Sequence, residues 1–202
     1  MKPLTIGLTG PTGAGKSTVC EIALSKGFTH INADKVAREC TEKGSPLLPL
    51  LAYEFGDILN PDGTLSRKAL ARAAFETHEK TEKLNGIMLP FILKRIESDI
   101  KELISVGKTK ILLDAPTLFE AGAHKLCDTV IGVLCPYEVR LRRIMSRDSI
   151  DETEARLRMD AGKTDEFYIS RCVHIINNDG SKELLKECAE ELFDYILKEV
   201  EV

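Results

Sequence analysis

Residues 10 to 17 read Gly-Pro-Thr-Gly-Ala-Gly-Lys-Ser, and this octet constrains the fold more than any other part of the chain. It follows Leu4 to Thr9, a short apolar run with β-branched residues, and leads into Lys16 to Ser25, where Val19, Ile22 and Ala23 fall at helical spacing. Strand, glycine-rich turn and helix are expected in that order. Gly10, Gly13 and Gly15 let the backbone take conformations that a side chain hinders, so that successive N–H groups can point inward at an anion. The helix beginning near Lys16 adds its positive end, the Lys16 ammonium can reach the β- and γ-phosphates of a nucleotide, and the Ser17 hydroxyl is placed for Mg²⁺. A motif of full length in this context predicts an ATP site. It leaves the acceptor open, because GTPases, motor ATPases and small-molecule kinases all share it.

At 202 residues the chain has the length of one compact α/β domain with inserted segments. Its 28 Lys and Arg against 32 Asp and Glu leave a net charge of -4, which offers no global attraction to nucleic acid or to an anionic membrane. An anionic ligand must therefore be held by a local site. No apolar run approaches the roughly 20 residues that span a bilayer, and the N-terminus enters a strand pattern without a signal-peptide cleavage region, so a soluble, cytoplasmic protein is expected. The six cysteines are scattered, without a Cys-x-x-Cys pair and without a histidine in metal-ligand spacing, which reads as reduced thiols.

Phe28 to Ile31 reads as a second strand, and Asp34 caps or opens a helix carrying Val36, Ala37 and Cys40. Asn60 to Thr64 is a turn, after which Ser66 stands as N-cap to a helix through Phe75. Residues 79 to 106 continue helically, with a break expected near Pro90 and a stop at Gly107. This helical block is too long for a simple crossover and reads as an insertion. Ile111 to Asp114, Val130 to Leu134 and Val173 to Ile176 are near-continuous apolar runs, the pattern of buried parallel strands. Between the last two lie a basic helix from about Pro136 to Arg147 and a charged segment from Ser149 to Arg171, opening with a Ser149-x-x-Glu152 capping box. The final helix, from near Ser181, places Leu184, Leu185, Cys188, Leu192, Ile196 and Val200 on one stripe.

Two further features carry chemistry. Asp114 ends an apolar strand as a Walker B acid does, where it can hold Mg²⁺ through a water; a capping or merely exposed aspartate satisfies the same pattern. Arg140, Arg143 and Arg147 recur at spacings of three and four on one helix face, where they can clamp a triphosphate. For Arg140 and Arg142 a solvated basic face is the preferred reading.

Over essentially its whole length the chain resembles the dephospho-coenzyme A kinases, members of the nucleoside-monophosphate-kinase-like group of P-loop proteins. The resemblance is carried by Ile6 to Gly10 with Gly15 to Val19, by Ile31-Asn32-Ala33-Asp34 with Ala37-Arg38, and by Asp62-Gly63-Thr64-Leu65 with Arg67 and Ala69-Leu70. Leu84-Asn85 with Pro90, Asp114-Ala115-Pro116 with Leu118-Phe119-Glu120, Arg143 with Arg147-Asp148, and Asn178 with Gly180 extend it. It implies a three-layer α/β/α fold with a five-stranded, mostly parallel sheet. The core would comprise about 1–34, 108–148 and 172–202, with a helical acceptor-binding insertion at about 35–107 and a helical lid at about 149–171.

The implied reaction moves the γ-phosphate of ATP, with Mg²⁺, to the ribose 3′-hydroxyl of dephospho-coenzyme A, the last step of coenzyme A synthesis, in a monomer or small homo-oligomer. A ribose hydroxyl is a poor nucleophile at neutral pH and needs a carboxylate to accept its proton; Asp34 matches the position of that base, beside Lys16 and Arg143 as the other catalytic groups. Gly13, Ala14, Gly15, Lys16, Ser17, Thr18, Arg147 and Asn178 match positions that hold ATP, Thr9, Asp34 and Arg67 positions that meet the acceptor, and Ser17 and Asp114 positions at the metal. The chain departs from the family pattern at Asn32, Leu89 and Thr117, and in the lid at Gly162, Tyr168 and Cys172-Val173. Arg156, Arg158, Lys163 and Arg171 still supply the lid with cations. A kinase for another small hydroxylated or nucleoside-monophosphate acceptor, or a nucleotide-binding regulatory protein with a decayed lid, remain the alternatives.

Overall fold

A computed structural model describes residues 2–201. They divide into two compact units, one formed by the residues up to Ile31 together with those from Glu102 onward, the other by Asn32–Lys101.

The first unit is built on a sheet of five strands: β1 (Leu4–Thr9), β2 (Thr29–Asn32), β3 (Lys110–Asp114), β4 (Thr129–Leu134) and β5 (His174–Asn177). They lie in the order β2-β3-β1-β4-β5 and form an all-parallel sheet. Every residue of β1 is buried, so both of its faces are covered, as the unbroken apolar runs of β1, β3 and β4 require. On one face Leu4, Ile6 and Leu8 pack with Val19, Ile22 and Ala23 of α1 (Lys16–Ser25) and with Leu185, Ala189, Phe193 and Ile196 of α9 (Lys182–Glu201). Phe28 and Phe193 meet with ring centroids 5.3 Å apart, and Lys26 bonds Asp194 at the rim of the same contact. With β3 and β4 on its two sides, β1 delivers its following loop to the carboxyl edge of the sheet, where open α/β sheets bind their ligands.

After β4 come α6 (Tyr137–Asp148), α7 (Glu152–Asp160) and α8 (Asp165–Ile169). Leu141 and Ile144 of α6 bury themselves against Ala155 and Met159 of α7. Ser149 does not open a capping box. It sits left-handed at φ 54 as the C-cap of α6, and the N-cap of α7 is Asp151, whose carboxylate accepts from the Glu154 N–H at 2.8 Å. The two roles fall two residues apart because one helix must end before the next begins. The stripe of α9 also shifts: Ala189 and Phe193 take buried places, whereas Leu184 and Val200 are exposed.

The second unit contains α2 (Ala33–Glu39), α3 (Leu47–Phe55), α4 (Arg67–Ala74) and most of α5 (His78–Ser105). Leu47, Leu51, Ile58, Leu70, Ala74 and Leu84 form its core. Ser66 caps α4 by accepting from the Ala69 N–H at 3.4 Å. Helix α5 runs through Pro90 without a break. Gly86, four residues earlier, is exposed with Pro90, so the carbonyl that loses its donor faces water. Among the described residues, no helix is long and apolar enough to cross a membrane.

Candidate functional site

The loop from β1 to α1 cannot be built with other residues at two of its glycines. A Cβ on Gly10, at φ 142, would lie 2.2 Å from the Val133 carbonyl oxygen of β4; one on Gly15, at φ 105, would lie 2.3 Å from Nδ2 of Asn178. Both backbones occupy the left-handed region, so steric room and torsion angle demand glycine together. Gly15 serves as the N-cap of α1 without a side-chain bond, which leaves the first N–H groups of that helix free of a side-chain cap. Such a terminus is an anion site.

Cationic and polar groups converge on this loop from three elements. Lys16 donates from Nζ to the carbonyl oxygens of Gly10 at 2.7 Å and Pro11 at 3.2 Å. Arg143 of α6 donates from Nη1 to the Gly13 carbonyl at 3.4 Å, and the same nitrogen lies 3.4 Å from Sγ of Cys135. Asn178, just beyond β5 and only 3% exposed, donates from Nδ2 to the Ala14 carbonyl at 2.7 Å. Its amide therefore braces the loop backbone. Ser17 is exposed and Thr18 half-buried on the first turn of α1. Thr9 is fully buried and donates from Oγ1 to the Pro116 carbonyl at 3.3 Å, so it offers no surface to a ligand in this structure.

Asp114 closes β3, and the Ala115 N–H bonds the Leu8 carbonyl, which ties this strand end to the strand that feeds the loop. Its Oδ2 lies 3.6 Å from Nε2 of His30, and its Oδ1 is buried without a hydrogen-bond partner. Burial, reinforced by this carboxylate, pushes the neighbouring Cys20 thiol up to about 12. Neither His30 nor Cys20 stands out in the sequence, since the nearer of them to Asp114 is 84 residues away along the chain; only the β2–β3 neighbourhood brings the three together.

The arginines of α6 do not share one role. Arg140, expected on a solvated face, is 7% exposed, reaches Asp165 of α8 at 3.4 Å and lies 5.8 Å from the centre of the Tyr137 ring. The correction follows from α8, whose Asp165 carboxylate meets one end of the guanidinium while the Tyr137 ring lies beside it; Nε is buried without a hydrogen-bond partner among the described residues. Arg142 is exposed, as expected. Arg147 grips Asp148 with two bonds, of 2.7 and 2.9 Å, which raise its own pKa and lower that of the carboxylate.

In the segment after α6, Arg158 bridges Asp148 at 3.0 Å and Glu154 at 2.6 Å, and Arg156 holds Glu152. Arg171 stacks over Phe167 at 4.2 Å, and Lys163 lies 5.6 Å from the same ring. Tyr168 is 4% exposed, and burial, with Glu120 nearby, pushes its hydroxyl up to about 12. It acts as a core residue of α8.

In the second unit the N-cap of α2 is Asn32, whose side chain accepts from the Lys35 N–H at 2.9 Å. Asp34 therefore does not cap. It sits in the first turn of α2, exposed, and its carboxylate has no hydrogen-bond or ion-pair partner among the described residues. Arg67 opens α4 and donates to Oγ1 of Thr41 at 3.5 Å.

A family model described as dephospho-CoA kinase matches residues 4–183. The dephospho-CoA kinase of Corynebacterium diphtheriae is 39% identical over 197 residues, covering 97% of this chain and 98% of that one. Among solved structures, TT1252 from Thermus thermophilus superposes with a TM-score of 0.81 at 28% identity, covering 98% of each chain. The dephospho-CoA kinase of Campylobacter jejuni does so with 0.72 at 28%, covering 96% of this chain and 97% of that one.

Proposed function

Because the chain belongs to the dephospho-CoA kinase family, we propose that Lys16, Arg143 and Asp34 are the groups with which it carries out that family's reaction. The enzyme uses ATP to phosphorylate dephospho-coenzyme A, the final step of coenzyme A biosynthesis. In this reading the γ-phosphoryl group passes to the ribose 3′-hydroxyl.

The observation that carries the assignment is the convergence of two cations on one glycine-shaped loop, Lys16 on Gly10 and Pro11, Arg143 on Gly13. With a triphosphate bound, backbone N–H groups from Gly13 to Thr18 take its β- and γ-oxygens, and the two cations exchange peptide carbonyls for phosphate oxygens. Because the transferring group carries its charge on those oxygens, positioning and charge stabilisation supply most of the rate. Asn178 holds the loop in that shape, and Arg147 serves ATP once Asp148 releases it. Arg67 meets the acceptor, and Thr9 contributes through the Pro116 carbonyl that its hydroxyl holds.

The donor set suits a hard divalent cation: the exposed Ser17 hydroxyl, and Asp114 with one buried carboxylate oxygen unpartnered. These two residues would hold Mg²⁺, directly or through water. Bound there, Mg²⁺ supplies neutralisation of charge on the β- and γ-phosphates. Asp34 takes the proton of the 3′-hydroxyl. Its carboxylate is spared for this because Asn32 performs the capping. Residues of about 35–107 receive the acceptor, and about 149–171 close over ATP and keep water from the γ-phosphate.

Asp34→Asn tests the base. Turnover should fall by roughly 10²- to 10⁴-fold, the usual worth of a general base, while ATP affinity is unchanged. Near-normal turnover would remove Asp34 from that role.

A further inference from the structure

Cys20 of α1, His30 of β2 and Asp114 of β3 present one ligand atom each, a thiol sulfur, an imidazole nitrogen and a carboxylate oxygen, all within 4.8 Å of one another. Nothing in the proposed phosphoryl transfer uses Cys20 or His30. Nε2 of His30 and Oδ1 of Asp114 are both buried without a hydrogen-bond partner, an arrangement that is costly when nothing binds it. The 3.6 Å between Nε2 and Oδ2 of Asp114 is long for a hydrogen bond. It is close to the roughly 3.3–3.7 Å that separates donor atoms sharing a tetrahedral ion with bonds of about 2.0–2.3 Å. The widest of the three separations needs to close by only about 1 Å to reach that range, within the reach of side-chain rotation.

We propose that Cys20, His30 and Asp114 form a site for a thiophilic divalent transition ion of the Zn²⁺ type, with its fourth position open to water. A thiolate, an imidazole and a carboxylate are the donors such an ion prefers, whereas Mg²⁺ favours oxygen alone and six-coordination. A coordinated thiol loses its proton to the ion's charge. The side chains of His30 and Asp114 keep 25% and 16% of their surface exposed, which gives the ion its way in, and Cys20 lies at the closed inner end. All three donors belong to the sheet and to the helix packed on it, so the site is assembled by the fold itself. It shares Asp114 with the Mg²⁺ reading above but does not depend on it, because its test reads the bound ion and not catalysis.

Co²⁺ is the probe, titrated into the metal-free protein and followed by absorption. One equivalent should bind and produce a thiolate-to-cobalt charge-transfer band that Zn²⁺ then abolishes by displacement. In Cys20→Ala the band should be lost, and in His30→Gln the Co²⁺ affinity should fall at least about tenfold, while both variants still bind ATP. A wild-type protein that binds Co²⁺ without the band, or a band that survives in Cys20→Ala, would overturn the proposal. Should Cys20→Ala fail to fold, X-ray absorption of the Zn²⁺-loaded wild type decides. One sulfur at about 2.3 Å with nitrogen and oxygen at about 2.0–2.2 Å is the expected shell; a shell without sulfur contradicts it.

Discussion

The side-chain amide of Asn178 donates to the carbonyl oxygen of Ala14 across 164 residues of sequence, at 2.7 Å and out of contact with solvent. The bond fastens the end of β5 to the middle of the phosphate loop, so the loop's shape depends on the far end of the sheet. In Asn178→Ala the Ala14 carbonyl loses its buried donor, a loss of about 1–3 kcal/mol. Equilibrium unfolding should show that decrease, and ATP affinity measured by calorimetry should fall with it. Unchanged affinity would mean that the loop holds its shape without the brace.

Gly15 faces the same amide from the other side of that contact. Gly15→Ala would place a Cβ 2.3 Å from Asn178 Nδ2 at a backbone φ of 105, so both clash and torsional strain oppose it. A stability loss of about 1–3 kcal/mol is expected from the strain alone. Combined with Asn178→Ala, the clash with the amide should disappear and only the 3.3 Å approach to Leu185 remain, so the double variant should be more stable than the sum of the singles by at least about 0.5 kcal/mol. Strict additivity in a denaturant cycle would argue against the contact.

The helical insertion and the sheet were unequally legible. Strands β1, β3, β4 and β5 stood out because each is centred on a short apolar run, and Lys16 to Ser25 because a phosphate loop must run into a helix. Helix α3 was not expected: its Pro46 and Pro49 fall at the N-cap and first turn, where a missing N–H costs nothing, and the N-cap itself supplies no capping side chain. Pro90 misled in the opposite direction, since its tolerance depends on the exposure of that helix face, which periodicity does not report. Within the site, Lys16 and Arg143 could be picked out from motif and resemblance. The brace formed by Asn178, the burial of Arg140 and the meeting of Cys20, His30 and Asp114 depend on strand order, which local sequence does not contain.

Alkaline stability offers a check on the core beneath the sheet edge. Burial, with the Asp128 carboxylate adding to it, raises the Cys127 thiol from 9.0 to about 12. Above pH 9 the unfolded chain ionises this thiol while the folded chain keeps it protonated. Its contribution is therefore complete below pH 9 and is lost as pH rises toward 12, by up to about 1.4 kcal/mol per pH unit. Urea midpoints measured on either side of pH 9 should fall less steeply in Cys127→Ala than in the parent protein. Equal slopes would place the thiol in contact with water.

The most direct test of the phosphoryl-transfer account is identification of the product. Purified protein with ATP and Mg²⁺ should be presented with dephospho-coenzyme A and, separately, with nucleoside monophosphates and small hydroxylated acceptors, and each mixture followed by phosphorus NMR and mass spectrometry. The account predicts one new phosphomonoester, on the ribose 3′-oxygen of dephospho-coenzyme A, formed in step with ADP. Transfer to another acceptor alone, or ATP binding without transfer to any of them, would contradict it.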